Sequence, residues 1–180
     1  MKNNKYRVEK DSMGSMKVPV DALYGAQTQR AVENFPISGT TFFVEFINAI
    51  IIIKRSSAIV NSKLDLLDKS TCAAIVNASD KLLQGFYEEH FPIDIFQTGS
   101  GTSTNMNVNE VISSLANNEK KKKVHPNDHV NMGQSSNDTI PTAINVSVAL
   151  MIHGRLLPSI NSLIASIESK EREFKNILKL

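Results

Sequence analysis

D-T-I-P-T-A-I-N-V-S-V-A-L-M-I, residues 138–152, reads two ways, and the choice decides the fold. Ile144, Val146, Val148, Leu150 and Ile152 alternate as in a half-buried strand. The flanks favour a helix. Asp138 is a good N-cap, and Pro141 is tolerated in a first turn. Apolar residues then continue through Ile160, Leu163, Ile164 and Ile167 at helical spacing. A helix buried on several sides loses its amphipathic signature. One long helix is therefore expected over 139–180, kinked near Gly154 and Pro158. Its apolar surface needs partners, and the rest of the chain has few to offer.

Immediately upstream lies a polar island, H-P-N-D-H-V-N-M-G-Q-S-S-N-D (125–138). A second one, F-Q-T-G-S-G-T-S-T-N-M-N-V-N (96–109), carries no charged side chain. Gly99 and Gly101 permit close-approach backbone, and the hydroxyls and amides supply donors without fixed charge. The plain reading of such composition is a linker. Apolar runs on both sides place it against a core instead. Thr104–Asn117 should be helical, with Met106, Val111, Ile112 and Leu115 facing inwards. The G-S-G-T loop then sits at a helix N-terminus, where free N–H groups favour an anion.

Together, Ser100, Thr102, Asn105, Ser135, Ser136 and Asn137 could surround a small dianion. Neutral preorganised donors would also stabilise charge developing beside a carboxylate. His125 with Asp128 could form a second polar site. Gly99–Thr102 lacks the Gly-Lys-Ser/Thr ending of a phosphate loop. His125 and His129 have metal-ligand spacing on a helix, but Pro126 and the Asn/Asp setting favour a loop, so no metal is expected. Ser135–Asp138 could be a helix cap and also part of the site.

Elsewhere, Arg7–Glu9 and Met16–Val20 read as edge strands around the turn D-S-M-G-S-M, and 21–34 as turn and short helix. Phe42–Ser62 is rich in β-branched residues, but its length favours a buried helix. Lys69–Glu89 is a clearer one, with Ser70 or Thr71 as N-cap, a face of Ile75, Leu82, Leu83 and Phe86, and a stop at Phe91-Pro92. The run E-K-K-K-K (119–123) reads as a solvated loop.

The 180 residues suffice for one domain with a core, or for one and part of another. Hydrophobic content of 41%, charged content of 21% and a net charge of +2 are ordinary for a globular protein and point to neither nucleic acid nor an acidic membrane surface. Cys72 is the single cysteine, which rules out an internal disulfide framework and a cysteine-ligated iron–sulfur cluster within the chain. The N-terminus has no apolar signal region, and Phe42–Ile53 is too short and polar to span a bilayer. A cytoplasmic protein without membrane partners is expected.

Three stretches carry a resemblance: Y-G-A-Q-T-Q-R-A-V-E-N-F-P-I-S-G (24–39), T-G-S-G-T-S-T-N-M-N-V-N-E-V-I (98–112) and V-H-P-N-D-H-V-N-M-G-Q-S-S-N-D (124–138). They resemble class II fumarase, of the fumarase/aspartase superfamily. Aspartase is the nearest alternative, but Q-T-Q-R at 27–30 and S-S-N-D at 135–138 look like fumarase. The resemblance implies a mainly α fold: a mixed α/β lyase domain (1–136), then the first part of a central long-helix bundle (137–180) that assembles as a homotetramer. It implies reversible hydration of fumarate to L-malate, a tricarboxylic acid cycle step, with no cofactor. Ser100 and Thr102 match residues that hold a substrate carboxylate. Asn137 matches another substrate contact, with Ser135 and Ser136 beside it. His125, Asn127 and Asp128 match a second, non-catalytic dicarboxylate site. The family's G-R-T-H-type segment and its G-S-S-x-M-P-G-K-x-N loop have no counterpart here. No catalytic residue is therefore expected in this chain, which should be inactive alone. The other reading is a truncated dicarboxylate-binding or oligomerisation fragment.

Overall fold

The computed structural model describes residues 5–85, 88–117 and 123–178. Its fold is mainly α. A hairpin of β1 (Tyr6–Asp11) and β2 (Gly14–Pro19) opens the chain, paired antiparallel from Tyr6↔Pro19 to Asp11↔Gly14. Ser12 and Met13 make the turn, and Gly14 at φ 124° closes it in a conformation that side chains resist. The Arg7 guanidinium donates to the carbonyls of Pro19, Ala22 and Tyr24, each at 2.7 Å, and so lashes the hairpin to the loop that follows.

The body is built on α1 (Ala26–Asn34), α2 (Val44–Lys63), α3 (Lys69–Gln84) and α4 (Thr102–Asn117). Ile50 of α2, Ile75 of α3 and Val108, Val111 and Ile112 of α4 are fully buried against one another. The length argument for α2 therefore prevails over its β-branched content. Burial on a helix outweighs the χ1 restriction that makes isoleucine a poor intrinsic helix former.

Two expectations about α3 need correction. Its N-cap is Asp68, whose carboxylate accepts from the Thr71 N–H at 2.9 Å. Ser70 and Thr71 instead donate their hydroxyls to that carboxylate. The helix also ends at Gln84, before Glu89, with Gly85 as its C-cap. A separate 3-10 turn follows at Glu88–His90. Phe86 and residues 119–122 of the charge run lie outside the described residues.

The ambiguous stretch is helical. A π-helical turn at Pro126–Val130 leads into α5 (Ser136–Met151), a second π-helical turn (Ile152–Leu156), and α6 (Leu157–Phe174). The last three run on as one helix of 39 residues, long and apolar enough to cross a membrane by length and composition alone. The irregularity falls around Gly154, as expected, and Pro158 sits harmlessly in the first turn of α6. The N-cap, however, is Ser135 and not Asp138: its hydroxyl accepts from the Asn137 N–H at 3.2 Å, leaving Asp138 in the first turn. α5 packs along α2, burying Thr139, Ala143 and Ser147. Arg155 pairs with Glu45 at the start of α2. Beyond Ser147 no described residue is buried.

Candidate functional site

Two helix N-termini meet on one face of the body. Gly101, at φ 65°, turns the first polar island into α4. A Cβ at this position would stand 2.9 Å from Cγ1 of Ile140 on α5, so the loop can lie against that helix only with glycine here. Gly99 faces open space and has no such duty. Gln97 secures the turn: its Oε1 accepts from the Thr104 N–H at 2.9 Å, and its Nε2 donates to Thr104 Oγ1 at 2.7 Å. Thr102 and Ser103, in the first turn, have no intrahelical acceptor for their N–H groups.

Ser100 Oγ and Thr102 Oγ1 lie 2.7 Å apart, and Thr102 Oγ1 lies 3.0 Å from Ser136 Oγ in the first turn of α5. Ser100, Thr102 and Ser136 thus form one hydroxyl cluster at the positive ends of two helix dipoles. An anion placed there would meet donors and favourable dipoles. Ser135 and Asn137 adjoin the cluster and are exposed, Ser135 serving as cap. Asn105 does not join them. It is buried, and its Nδ2 donates inward to Asn131 Oδ1 at 3.2 Å.

The segment that carries the second expected site is the π-helical turn. Asp128 N–H donates to His125 Nδ1 at 3.2 Å, and Asp128 Oδ2 lies 3.1 Å from the same nitrogen. His129 Nδ1 accepts from the His125 N–H at 2.8 Å. His125 and Asn127 lie on the rim of a cleft of about 880 Å³, with Glu9, Glu110 and Lys123 on its walls. Ser100, Thr102 and Ser136 do not line it.

Sequence reasoning missed three features. Glu110 is buried and accepts from the N–H groups of Gly25 (2.9 Å), Gln27 (3.1 Å) and Thr28 (3.1 Å) and from Thr28 Oγ1 (2.6 Å), so it caps α1 from across the body. Asp94 accepts from the N–H groups of Ser38, Gly39 and Phe96. Its burial works to raise the pKa, but these donors and the Ser38 hydroxyl outweigh it and hold the carboxyl at about 2. Lys54 is fully buried on α2 with its Nζ on Asn131 Oδ1 (2.8 Å) and Gln134 Oε1 (2.9 Å). Burial alone lowers its pKa to about 7. The available signal was a single charge in an apolar run: Glu110 in M-N-V-N-E-V-I and Lys54 after A-I-I-I-I.

Residues 14–180 match the sequence family described as lyase. The chain belongs to the lyase family. Within it, the similarity is to the N-terminal portion of class II fumarate hydratases. One from Xylella fastidiosa (strain Temecula1) is 52% identical over 177 residues, covering 98% of this chain and 37% of the relative. The "fumarate hydratase class II 2" of Pseudomonas aeruginosa is 51% identical over 173 residues, covering 96% and 38%. Among solved structures, class II fumarase from Schistosoma mansoni superimposes with a TM-score of 0.89 at 42% identity, covering 96% of this chain and 38% of that one. A fumarate lyase:delta crystallin from Brucella melitensis gives 0.87 at 39% identity, covering 96% and 42%. This lyase chain thus spans under two fifths of the length of the curated relatives it matches.

Proposed function

We propose that this lyase-family chain provides the carboxylate-binding part of a fumarate hydratase site, serving reversible hydration of fumarate to L-malate. Ser100, Thr102, Ser135, Ser136 and Asn137 bind the substrate. The observation that carries this is the contact of Thr102 with Ser136, which joins two helix N-termini and three hydroxyls in one patch. Such a patch suits a carboxylate that must be held while charge develops next to it. His125, Asn127 and Asp128 form a second dicarboxylate site on the cleft side. The exposed Asp128 carboxylate is a like charge there, so that site is the weaker of the two.

The groups that move the proton come from a segment outside these 180 residues. Such groups each contribute roughly 10²–10⁴-fold, so this chain alone turns over little or no fumarate. Residues 1–136 act as the lyase domain, and 137–180 as the first part of a helical domain. The exposed apolar face beyond Ser147 supports packing in a homotetrameric bundle. It also favours the second reading, an oligomerisation fragment without catalysis.

The test is fumarate hydration, followed by loss of ultraviolet absorbance, for the purified chain alone and mixed with the C-terminal segment of a full-length class II fumarase. Activity only in the mixture is the expected result. Activity of the chain alone would overturn the placement of the proton-transfer groups elsewhere. Soluble, folded protein that gives no activity in the mixture and binds no fumarate would overturn the carboxylate-site reading.

A further inference from the structure

Among the described residues, no carboxylate faces Lys54. Its ammonium is enclosed by amides: Asn131 Oδ1 and Gln134 Oε1 accept from it, and Asn131 Oδ1 also accepts from Asn105 and Asn109 on α4, both at 3.2 Å. Asn131 and Gln134 belong to the turn that delivers Ser135 and Ser136. Asn131 Nδ2 donates to the Gln134 carbonyl at 3.1 Å, closing that turn on itself. Asn105 lies one helical turn beyond Thr102. The buried amine therefore stands where α2, α4 and the approach to α5 converge.

We propose that Lys54 is a positioning residue: its ammonium, bonded to Asn131 and Gln134, fixes the turn that sets Ser135 and Ser136 against Ser100 and Thr102. A buried charge without an ionic partner is costly. Replacing it by an apolar residue would relieve that cost and leave the Gln134 oxygen without its strongest donor. Charged donors hold about twice as firmly as neutral ones. The arrangement thus spends stability on order in one turn.

Other charged groups on the neighbouring elements are engaged elsewhere. Glu110 is turned to α1, Asp80 of α3 pairs with Arg55, and His125, Asp128 and His129 bond among themselves. Asp138 occupies the first turn of α5. None of them accounts for the lowered proton affinity of Lys54, whose cause is burial.

The experiment uses the ¹⁵N-labelled full chain, its Lys54→Met variant and its Asn131→Asp variant. In the parent chain the backbone amides of Gln134 and Asn137 titrate with a midpoint near pH 7. In Lys54→Met that titration vanishes, and hydrogen exchange at those amides rises on the order of tenfold, as loss of bonds to a charged donor implies, while exchange in α3 stays put. Asn131→Asp gives the ammonium a carboxylate and moves the midpoint upward by about one pH unit or more. It also carries the test should Lys54→Met not fold. A titration that persists unchanged in Lys54→Met would belong to another group and would overturn the proposal. So would an unmoved midpoint in Asn131→Asp, or an exchange increase spread equally over α3. The effect on ligand rests on the carboxylate-site reading, and fumarate separates the two. If the parent chain shows no fumarate shifts, that reading fails while the amide titrations still decide the role of Lys54. If Lys54→Met binds fumarate as well as the parent, the positioning role fails.

Discussion

The body up to Gln134 and the helical arm after it are both rich in leucine, isoleucine and valine, yet they treat them oppositely. In α2 and α4, Ile50, Ile51, Val108, Val111 and Ile112 lose essentially all contact with solvent. In the arm, Leu163 and Ile167 are each 60% exposed. Composition alone does not bury a residue; a neighbouring element of matching shape does. α2 leans on α3 and α4 within the body, and α5 leans on α2 and the start of α4, whereas α6 has no neighbour among the described elements other than the turn that continues into it. The hydroxyl cluster lies on the seam, where Thr102 Oγ1 of the body meets Ser136 Oγ of the arm.

The largest expected effect that sharpens this contrast concerns charge in the body. The Lys54 ammonium keeps its proton to about pH 10.5 in the unfolded chain but releases it near pH 7 when folded. Between those values the unfolded state holds more protons, so raising the pH favours folding. At about 1.4 kcal/mol per unit, the gain over the whole interval approaches roughly 5 kcal/mol. The urea-unfolding free energy of the parent minus that of Lys54→Met should rise along that slope from pH 7 to pH 10. A flat difference would mean that the amine is solvated.

Truncation comes next. Ile112→Ala, in the closed core, should lose about 2–5 kcal/mol in equilibrium denaturation. Gly101→Ala, on the seam, should cost about 1–3 kcal/mol, because it adds a side chain at positive φ and drives a Cβ into Ile140. Gly99→Ala, facing open space, serves as its control and should change stability far less. Leu163→Ala, in the arm, should stay within about 0.5 kcal/mol for the isolated chain. A loss like that of Ile112→Ala would break the comparison, since it would show the arm already covered by a second molecule. Concentration-dependent stability of the parent would say the same.

A separate acid limb belongs to the body. Asp94 is held ionised by its donors down to about pH 2. Its contribution is complete above the ordinary carboxylate range and declines as the pH falls towards 2. Asp94→Asn should flatten that limb. Because the Asp94 carboxylate also accepts from the Phe96 N–H at 2.8 Å, the variant should loosen the loop that leads to Ser100.

Much was legible in the chain itself. Period and length identified the long helices, including the one that alternates like a strand, because the apolar positions continue at helical spacing well past where a strand would end. The turn signals located the hairpin, and the Gly/Ser/Thr island was recognisable as a helix N-terminus. The resemblance of three stretches to class II fumarase agreed with the similarity across nearly the whole chain. What failed locally were caps. Asp68 and Ser135 won over Ser70, Thr71 and Asp138, because a cap is chosen by where the backbone leaves the helical region, and neighbouring polar residues differ little in propensity.

The sequence by itself determined the elements, their order and the hydroxyls on offer, since these depend on period and on side-chain chemistry within a few residues. Only the tertiary structure decided which hydroxyls meet. It set Thr102 beside Ser136, turned Asn105 away to Asn131, buried Lys54 without a carboxylate and brought Glu110 under α1. Each of these joins residues far apart in the chain, and hydrogen bonds of a few ångströms are made only after helices have packed to that precision.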